Sequence, residues 1–450
     1  MGSGSDLRRK LEGFCRRMAT VAGLILAWVA LRAQTYAPPA PGEFGGPGPH
    51  PVKATQLANP VYPTANGRAL TVSVFHPGPE PDPARPTIFV AHGFASPVGE
   101  SGSYGALLTN LASHGYNVVF SPYEGGAGLN IAMRFDQLVT GFAAAVASHG
   151  LNTRQVGFVG HSYGGGFLPA VCRHLLMGQA SQFRAGQTWG GTAAFLFSMA
   201  PAYAFSGNGQ TGVKESQAIV VPPNLTVVVQ VFADDTAVVD PRVAVDVFYN
   251  LTTLNQQKDF ITVRSDRHGT PVQVADHFLP NTGSNVPATS LQAWAIFRPL
   301  DALAAYTFTG DAAARSIALG NGSAAQTYLG AWSDQVPVEP LVVTDTPSPA
   351  AFPPSEGYSA VQWTSAVNPR GAFPLVSGPP RISQFRPEAG QVVLLVDGLL
   401  AEHRYRWQSS PDPTATAWAE GPDFTASQPR QTFMESGPEA PHQFWRLLAP

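Results

Sequence analysis

The stretch V-G-F-V-G-H-S-Y-G-G-G, Val156 to Gly166, holds Ser162 between Gly160 and Gly164. Glycine on both sides marks a place where backbone must pass close to backbone around a sharp turn. Residues 155–160 read as a short apolar strand, and those from Tyr163 to about Met177 as a helix. A strand that runs directly into a helix through such a turn lifts the serine hydroxyl out of the carboxyl edge of a sheet. The helix start aims backbone N–H groups at the same point. A serine that only caps the helix is the simpler alternative; the strand before it and the helix after it favour an exposed nucleophile.

The surrounding pattern gives that turn a sheet to sit on. Residues 70–75, 87–91 and 117–121 read as strands, with helices over 104–114 and 135–148. Short wholly apolar strands such as T-I-F-V-A and N-V-V-F-S, separated by helices, imply a mostly parallel sheet covered on both faces. The expected fold class is therefore α/β, a doubly wound, mostly parallel sheet, followed by a small C-terminal all-β domain. With 44% hydrophobic and 13% charged residues among 450, the chain has material for one large core and a second small one. Its 45 glycines and 42 prolines argue against a helical bundle and cluster at two joints.

The first joint follows a targeting pattern. Arg8, Arg9, Lys10, Arg16 and Arg17 precede the apolar run 19–31 and then Ala33. The run is shorter than the roughly 20 residues of a membrane span, so residues 1–33 read as a signal peptide, with an uncleaved membrane anchor as the alternative. The chain is expected to be secreted or periplasmic. A formal charge of −3, more acidic once the basic segment is removed, gives nucleic acid nothing to bind. Cys15 lies before the apolar run, so export leaves Cys172 alone and no intramolecular disulfide; Cys172 reads as a buried structural thiol.

A serine nucleophile needs a base, and the base an orienting acid, at the ends of later strands. Strand-like 226–232 runs into A-D-D-T-A-V-V-D, and strand-like 260–264 into S-D-R-H-G. Asp235 is the expected acid, ahead of Asp234, which is closer to the strand, and Asp240, which fits a helix cap before Pro241. His268 is the expected base because it follows the strand end closely and precedes Gly269. His277, in A-D-H-F, reads as a packed or pocket-lining residue on the next helix. His92 and His161 read as framework hydrogen-bonders. No His, Cys or Asp spacing suggests a metal, and no glycine fingerprint a dinucleotide, so no cofactor is expected.

Three segments carry a resemblance. F-V-A-H-G-F at 89–94, G-H-S-Y-G-G-G at 160–166 and D-D-T-A-V-V at 234–239 are similar to the corresponding segments of the α/β-hydrolase superfamily, especially its cutinase-like and dienelactone-hydrolase-like esterases. The resemblance covers about residues 65–330. It implies a serine hydrolase in which the backbone N–H groups of Phe94 and Tyr163 form the oxyanion hole. The long segment between Met177 and Pro223, and the region after His268, depart from the smallest members, so pocket shape does not carry over.

The expected organisation is a Pro/Gly-rich lead-in over 34–60, the hydrolase-like domain over 61–345, a Pro-rich linker over 346–380 and a small β-sandwich-like domain over 381–450. Helices are expected over 294–307 and 312–319, and extended chain over 336–344. The sandwich reads either as a solubilising tail or as a surface- or carbohydrate-contacting module. The whole reads as an exported serine esterase for a small-molecule or polymeric ester, catalysed by Ser162, Asp235 and His268. An amidase, peptidase or lipase of the same fold, or a non-catalytic surface-binding protein, is the alternative.

Overall fold

A computed structural model of the chain describes residues 34–63, 69–94, 101–124, 131–177, 189–202, 221–236, 238–281 and 287–352, and, further on, 381–388, 391–397, 404–412, 414–426, 430–436 and 444–448. The targeting segment and most of the Pro-rich linker lie outside the described residues. Among the described residues no helix is long and apolar enough to cross a membrane.

Nine strands form one sheet in the order β1-β2-β4-β3-β5-β6-β7-β8-β9. They are β1 (Val52–Pro63), β2 (Ala69–Pro77), β3 (Thr87–Ala91), β4 (Asn117–Phe120), β5 (Gln155–His161), β6 (Ala193–Met199), β7 (Thr226–Phe232), β8 (Lys258–Val263) and β9 (Val342–Thr344). The strands from β4 through β3 to β8 run parallel, whereas β1, β2 and β9 add antiparallel edges. Every residue of β3, β4 and β7 is buried, as expected when helices cover both faces. Alternate side chains of β3 feed two cores: Phe89 and Ala91 pack on one side, Ile88 and Val90 on the other.

The first side is covered by α2 (Ile131–His149), α3 (Tyr163–Leu176) and α4 (Pro241–Asn250), which contribute Phe142, Phe167 and Phe248. The other is covered by α1 (Gly105–Ser113), α5 (Arg298–Thr309) and α6 (Ala312–Ala318), with Leu107, Leu303 and Ala314. Asp240 caps α4, its carboxylate accepting from the Arg242 amide at 2.9 Å, with Pro241 in the first turn. Cys172 lies fully buried on α3, where burial pushes its thiol well above the ordinary range.

Three expectations change. Residues 34–60 are no free lead-in: β1 pairs along β2, and Tyr36 bridges Trp332, the two rings tilted at 42° with centroids 5.4 Å apart. Strand β6 went unrecognised between Met177 and Pro223. Of the extended stretch 336–344 only β9 pairs with the sheet.

Beyond residue 380, β10 (Arg381–Glu388), β11 (Gln391–Asp397) and β14 (Arg430–Ser436) form one antiparallel sheet, and β12 (Arg404–Ser410), β13 (Ala419–Thr425) and β15 (Phe444–Leu448) another. Val392, Leu394 and Val396 of the first share a core with Tyr405 and Trp407 of the second, the arrangement of a β-sandwich. The Trp407 ring meets Phe433 edge-on at 5.2 Å.

Candidate active site

Ser162 occupies the turn between β5 and α3 with φ 56° and ψ −122°, a conformation a residue with a side chain adopts only under strain. The flanking glycines allow it. A Cβ on Gly164 would stand 2.3 Å from the carbonyl oxygen of His92, and one on Gly160 would stand 2.8 Å from the Gly164 backbone. The turn is tied down by the Ser162 amide donating to Met199 O at 2.8 Å and by Ser162 O accepting from Ala202 at 3.0 Å. The hydroxyl thus stands over the carboxyl ends of the parallel strands, where open α/β sheets place their ligands.

The Ser162 Oγ lies 3.0 Å from Nε2 of His277. On the far side of that ring, Nδ1 lies 2.6 Å from Oδ2 of Asp235. An ionised carboxylate only accepts, so Nδ1 carries the ring proton and Nε2 is left to accept from the serine. The other Asp235 oxygen accepts the Val239 amide at 3.2 Å, fixing the carboxylate in the loop after β7. The side chains of His277 and Asp235 are only 6% and 4% exposed, which strengthens the pair electrostatically.

Of the expected residues, the structure brings Ser162 and Asp235 together and leaves His268 out. His268 is 38% exposed and its Nε2 pairs with Asp334 at 2.8 Å. Its amide donates to Asp266 at 2.8 Å, and its ring lies against Trp332. Instead of ending soon after β8, the loop makes an excursion closed by a bridge between Asp266 and Gln273. It then returns His277 to the serine. His277 sits in a turn rather than a helix, where Asp276 accepts the Phe278 amide at 2.9 Å and Pro280 biases Leu279 away from helix. Composition carried the missed signal: His268 lies among Asp266, Arg267, Gly269 and Thr270, the makings of a solvated turn, whereas His277 has Ala275, Phe278 and Leu279 as neighbours.

The rejected acids have other work. Asp234 accepts from Ser265 at 2.7 Å and from Arg267 at 3.4 Å, and Asp240 caps α4. His92 and His161 are buried in the frame. His92 Nδ1 donates to Gly93 O at 2.5 Å and its Nε2 accepts from the Tyr123 amide at 3.0 Å; burial lowers its pKa to about 4.

Phe94 and Tyr163 meet edge-on at 5.8 Å across the mouth of the site. Tyr163 is the first residue of α3, so its amide belongs to the positive end of the helix. The backbone before Phe94 crosses close over the serine, since a Cβ on Gly93 would stand 3.3 Å from Ser162 Cβ.

A strained serine between β5 and a helix, an acid after β7 and a histidine after β8, joined in the order Ser162, Asp235, His277, decide the architecture. This is the α/β-hydrolase fold. Matches to solved α/β-hydrolase structures are distant. Esterase B from Lactobacillus rhamnosis is similar at 17% identity over 44% of this chain, with a TM-score of 0.28, and the chain spans only 59% of that protein's length. The same esterase inhibited by a tributyrin phosphonate matches at 13% identity over 67% of this chain and 97% of the other, with a TM-score of 0.40. Thermogutta terrifontis esterase 2 phosphorylated by paraoxon matches at 14% identity over 56% and 93%, with a TM-score of 0.39. No protein-family model and no curated protein matches the chain.

Within this fold, a cleft of about 90 Å³ opens over Ser162 between Gly93, Phe94, Tyr104, His277 and Phe278. Phe94 is 53% and Phe278 59% exposed, and both line that cleft. A larger hollow of about 450 Å³ lies behind the acid loop, lined by Asp235, Phe260, Val342 and Phe352. It reaches neither Ser162 nor His277, so the smaller cleft is where chemistry can occur. Among the described residues no group of three His, Cys, Asp or Glu side chains could hold a metal ion.

Proposed function

We propose that the protein hydrolyses carboxylic esters through an acyl-enzyme on Ser162. The observation that carries this is the unbroken line from Asp235 through His277 to the strained Ser162. Ser162 Oγ attacks the acyl carbon while His277 Nε2 takes its proton, and Asp235 stabilises the imidazolium through Nδ1. The negative oxygen of the tetrahedral intermediate is received by the amides of Phe94 and Tyr163. His277 then protonates the departing alkoxide. Water, deprotonated by the same nitrogen, releases the acid and restores the serine.

The Phe94 and Phe278 rings favour an ester whose acyl or alcohol portion is apolar. Incubation of the purified protein with p-nitrophenyl esters of graded acyl length, beside a Ser162→Ala variant, tests the reading. Hydrolysis that vanishes in the variant supports it; equal rates in the two proteins refute it.

Export belongs to the same proposal. Its support is the run of basic residues, the apolar stretch 19–31 and Ala33. Amino-terminal sequencing of protein recovered outside the cytoplasm should begin near Gln34, and an intact terminus in the cytoplasmic fraction alone would refute export.

A further inference from the structure

Behind the reacting atoms, Tyr104 stands just before α1, its ring buried against Phe120. Its hydroxyl oxygen lies 2.8 Å from the Gly93 amide and 2.9 Å from His161 Nδ1. The other nitrogen of His161, Nε2, lies 2.8 Å from the backbone carbonyl oxygen of His277. That carbonyl can only accept, so Nε2 carries the ring proton. Nδ1 is then an acceptor, Tyr104 O–H donates to it, and the hydroxyl oxygen accepts from Gly93. The four groups form one row in which each donor has its acceptor.

The row is also fixed in direction. Burial, followed by the neighbouring His277, pushes His161 well below the usual histidine range, and burial pushes Tyr104 well above the usual tyrosine range. Neither changes protonation where an ester hydrolase works.

We infer that Tyr104 and His161 are positioning residues that hold the Gly93–Phe94 arm and the backbone of His277 at a fixed distance from each other. The inference rests on the reading of Ser162 as the acyl acceptor. Gly93 precedes the residue whose amide is to receive the oxyanion, and His161 precedes the serine. The carbonyl at the other end belongs to the residue that supplies the base. A single hydroxyl thus sets the oxyanion donor and the imidazole in one frame through hydrogen bonds to Gly93 and His161, without bonding to Ser162 Oγ or to the His277 ring. The arm has little slack, because a Cβ on Gly93 would stand 3.3 Å from His161 Nδ1, Ser162 Cβ and the Tyr104 hydroxyl alike. Donors in such a site must stand within a few tenths of an ångström of the developing charge, so a small displacement of the arm reduces turnover more than binding.

The test compares Tyr104→Phe, His161→Gln and His161→Ala with wild type on a p-nitrophenyl ester and on the matching thionoester, whose sulfur takes hydrogen bonds poorly. Melting temperatures are measured alongside. Tyr104→Phe should lose about 10- to 100-fold in kcat with KM within about threefold. Its preference for the oxygen ester over the thionoester should fall at least about fivefold, because that preference reports the oxyanion amides. His161→Gln, which keeps a donor towards the His277 carbonyl, should retain more activity than His161→Ala. It is also the variant to assay should Tyr104→Phe fail to fold. A folded Tyr104→Phe with wild-type kcat, or a loss that leaves the oxygen-to-sulfur preference unchanged, overturns the inference alone. A wild-type protein no more active than Ser162→Ala overturns the reading of the site and this inference with it.

Discussion

His277 Nε2 stands 3.0 Å from Ser162 Oγ, although the two residues are brought there by loops at the ends of non-adjacent strands, β5 and β8. Under the proposed function this contact makes His277 the base, and two variants distinguish it from His268. His277→Ala should lower kcat by a factor of about 10⁴ or more. His268→Ala, which removes a partly exposed pair with Asp334 and a ring contact with Trp332, should keep kcat within about threefold. Steady-state rates of the two variants check this, and the opposite ranking would move the base back to His268.

Gly164→Ala should destabilise the fold as well as the site. Its Cβ would be driven to 2.3 Å from one backbone carbonyl oxygen and 2.4 Å from the next, those of His92 and Ala91. Overpacking of this kind costs about 1–3 kcal/mol. Chemical denaturation should show the loss, and an unchanged midpoint would mean that the elbow relaxes freely.

Much of this was legible in the residues. The elbow could be read because its constraint is local: strand, two glycines and helix are contiguous, and Ser162 needs nothing from elsewhere to be strained. Strands β3, β4, β5 and β7 were plain because burial on both faces leaves them almost wholly apolar. Asp235 was legible as a candidate acid, since it follows the end of β7 by three residues. His277 was not, because the length of the loop after β8 is set by contacts with distant chain. Thr270 donates to Gln34 O at 2.8 Å, and Glu339 donates its amide to Asp266 at 2.8 Å. Nothing near His268 announces those partners. Strand β1 was hidden for a similar reason, as V-K-A-T-Q-L-A-N alternates weakly and becomes a strand by pairing with β2.

A pH effect on stability should come from Asp301, far from the serine. It is fully buried, receives the Asn110 amide at 2.8 and 3.0 Å and the Gly45 amide at 2.9 Å, and faces His114 at 3.3 Å. Burial pushes its carboxyl up from 3.8 to about 6, partly offset by His114 and by the hydrogen bonds from Asn110 and Gly45. The folded state therefore holds this proton more tightly than the unfolded state. Its contribution to stability is fullest below about pH 4 and is lost as pH rises towards about 6. The stability of wild type relative to Asp301→Asn should fall across that window, as measured by urea unfolding at several pH values. A flat difference would show that His114 and the amides cancel the effect of burial.

The β-sandwich should be dispensable for chemistry on a soluble ester. Its core of Val392, Leu394, Val396, Tyr405 and Trp407 is self-contained, and Ser162, Asp235 and His277 all precede residue 281. A chain ending at residue 380 should therefore hydrolyse a soluble p-nitrophenyl ester with kcat/KM within about twofold of the full chain. An insoluble or inactive truncated protein would show instead that the sandwich is needed to complete the hydrolase.

The most direct measurement is covalent. A fluorophosphonate reacts with a serine only when a neighbouring base activates it, so mass spectrometry of the digested, labelled protein reports nucleophile and base together. The adduct should be found on Ser162. Its rate of formation should collapse in His277→Ala and persist in His268→Ala. Labelling at another residue, or labelling of His277→Ala at the wild-type rate, would contradict the account.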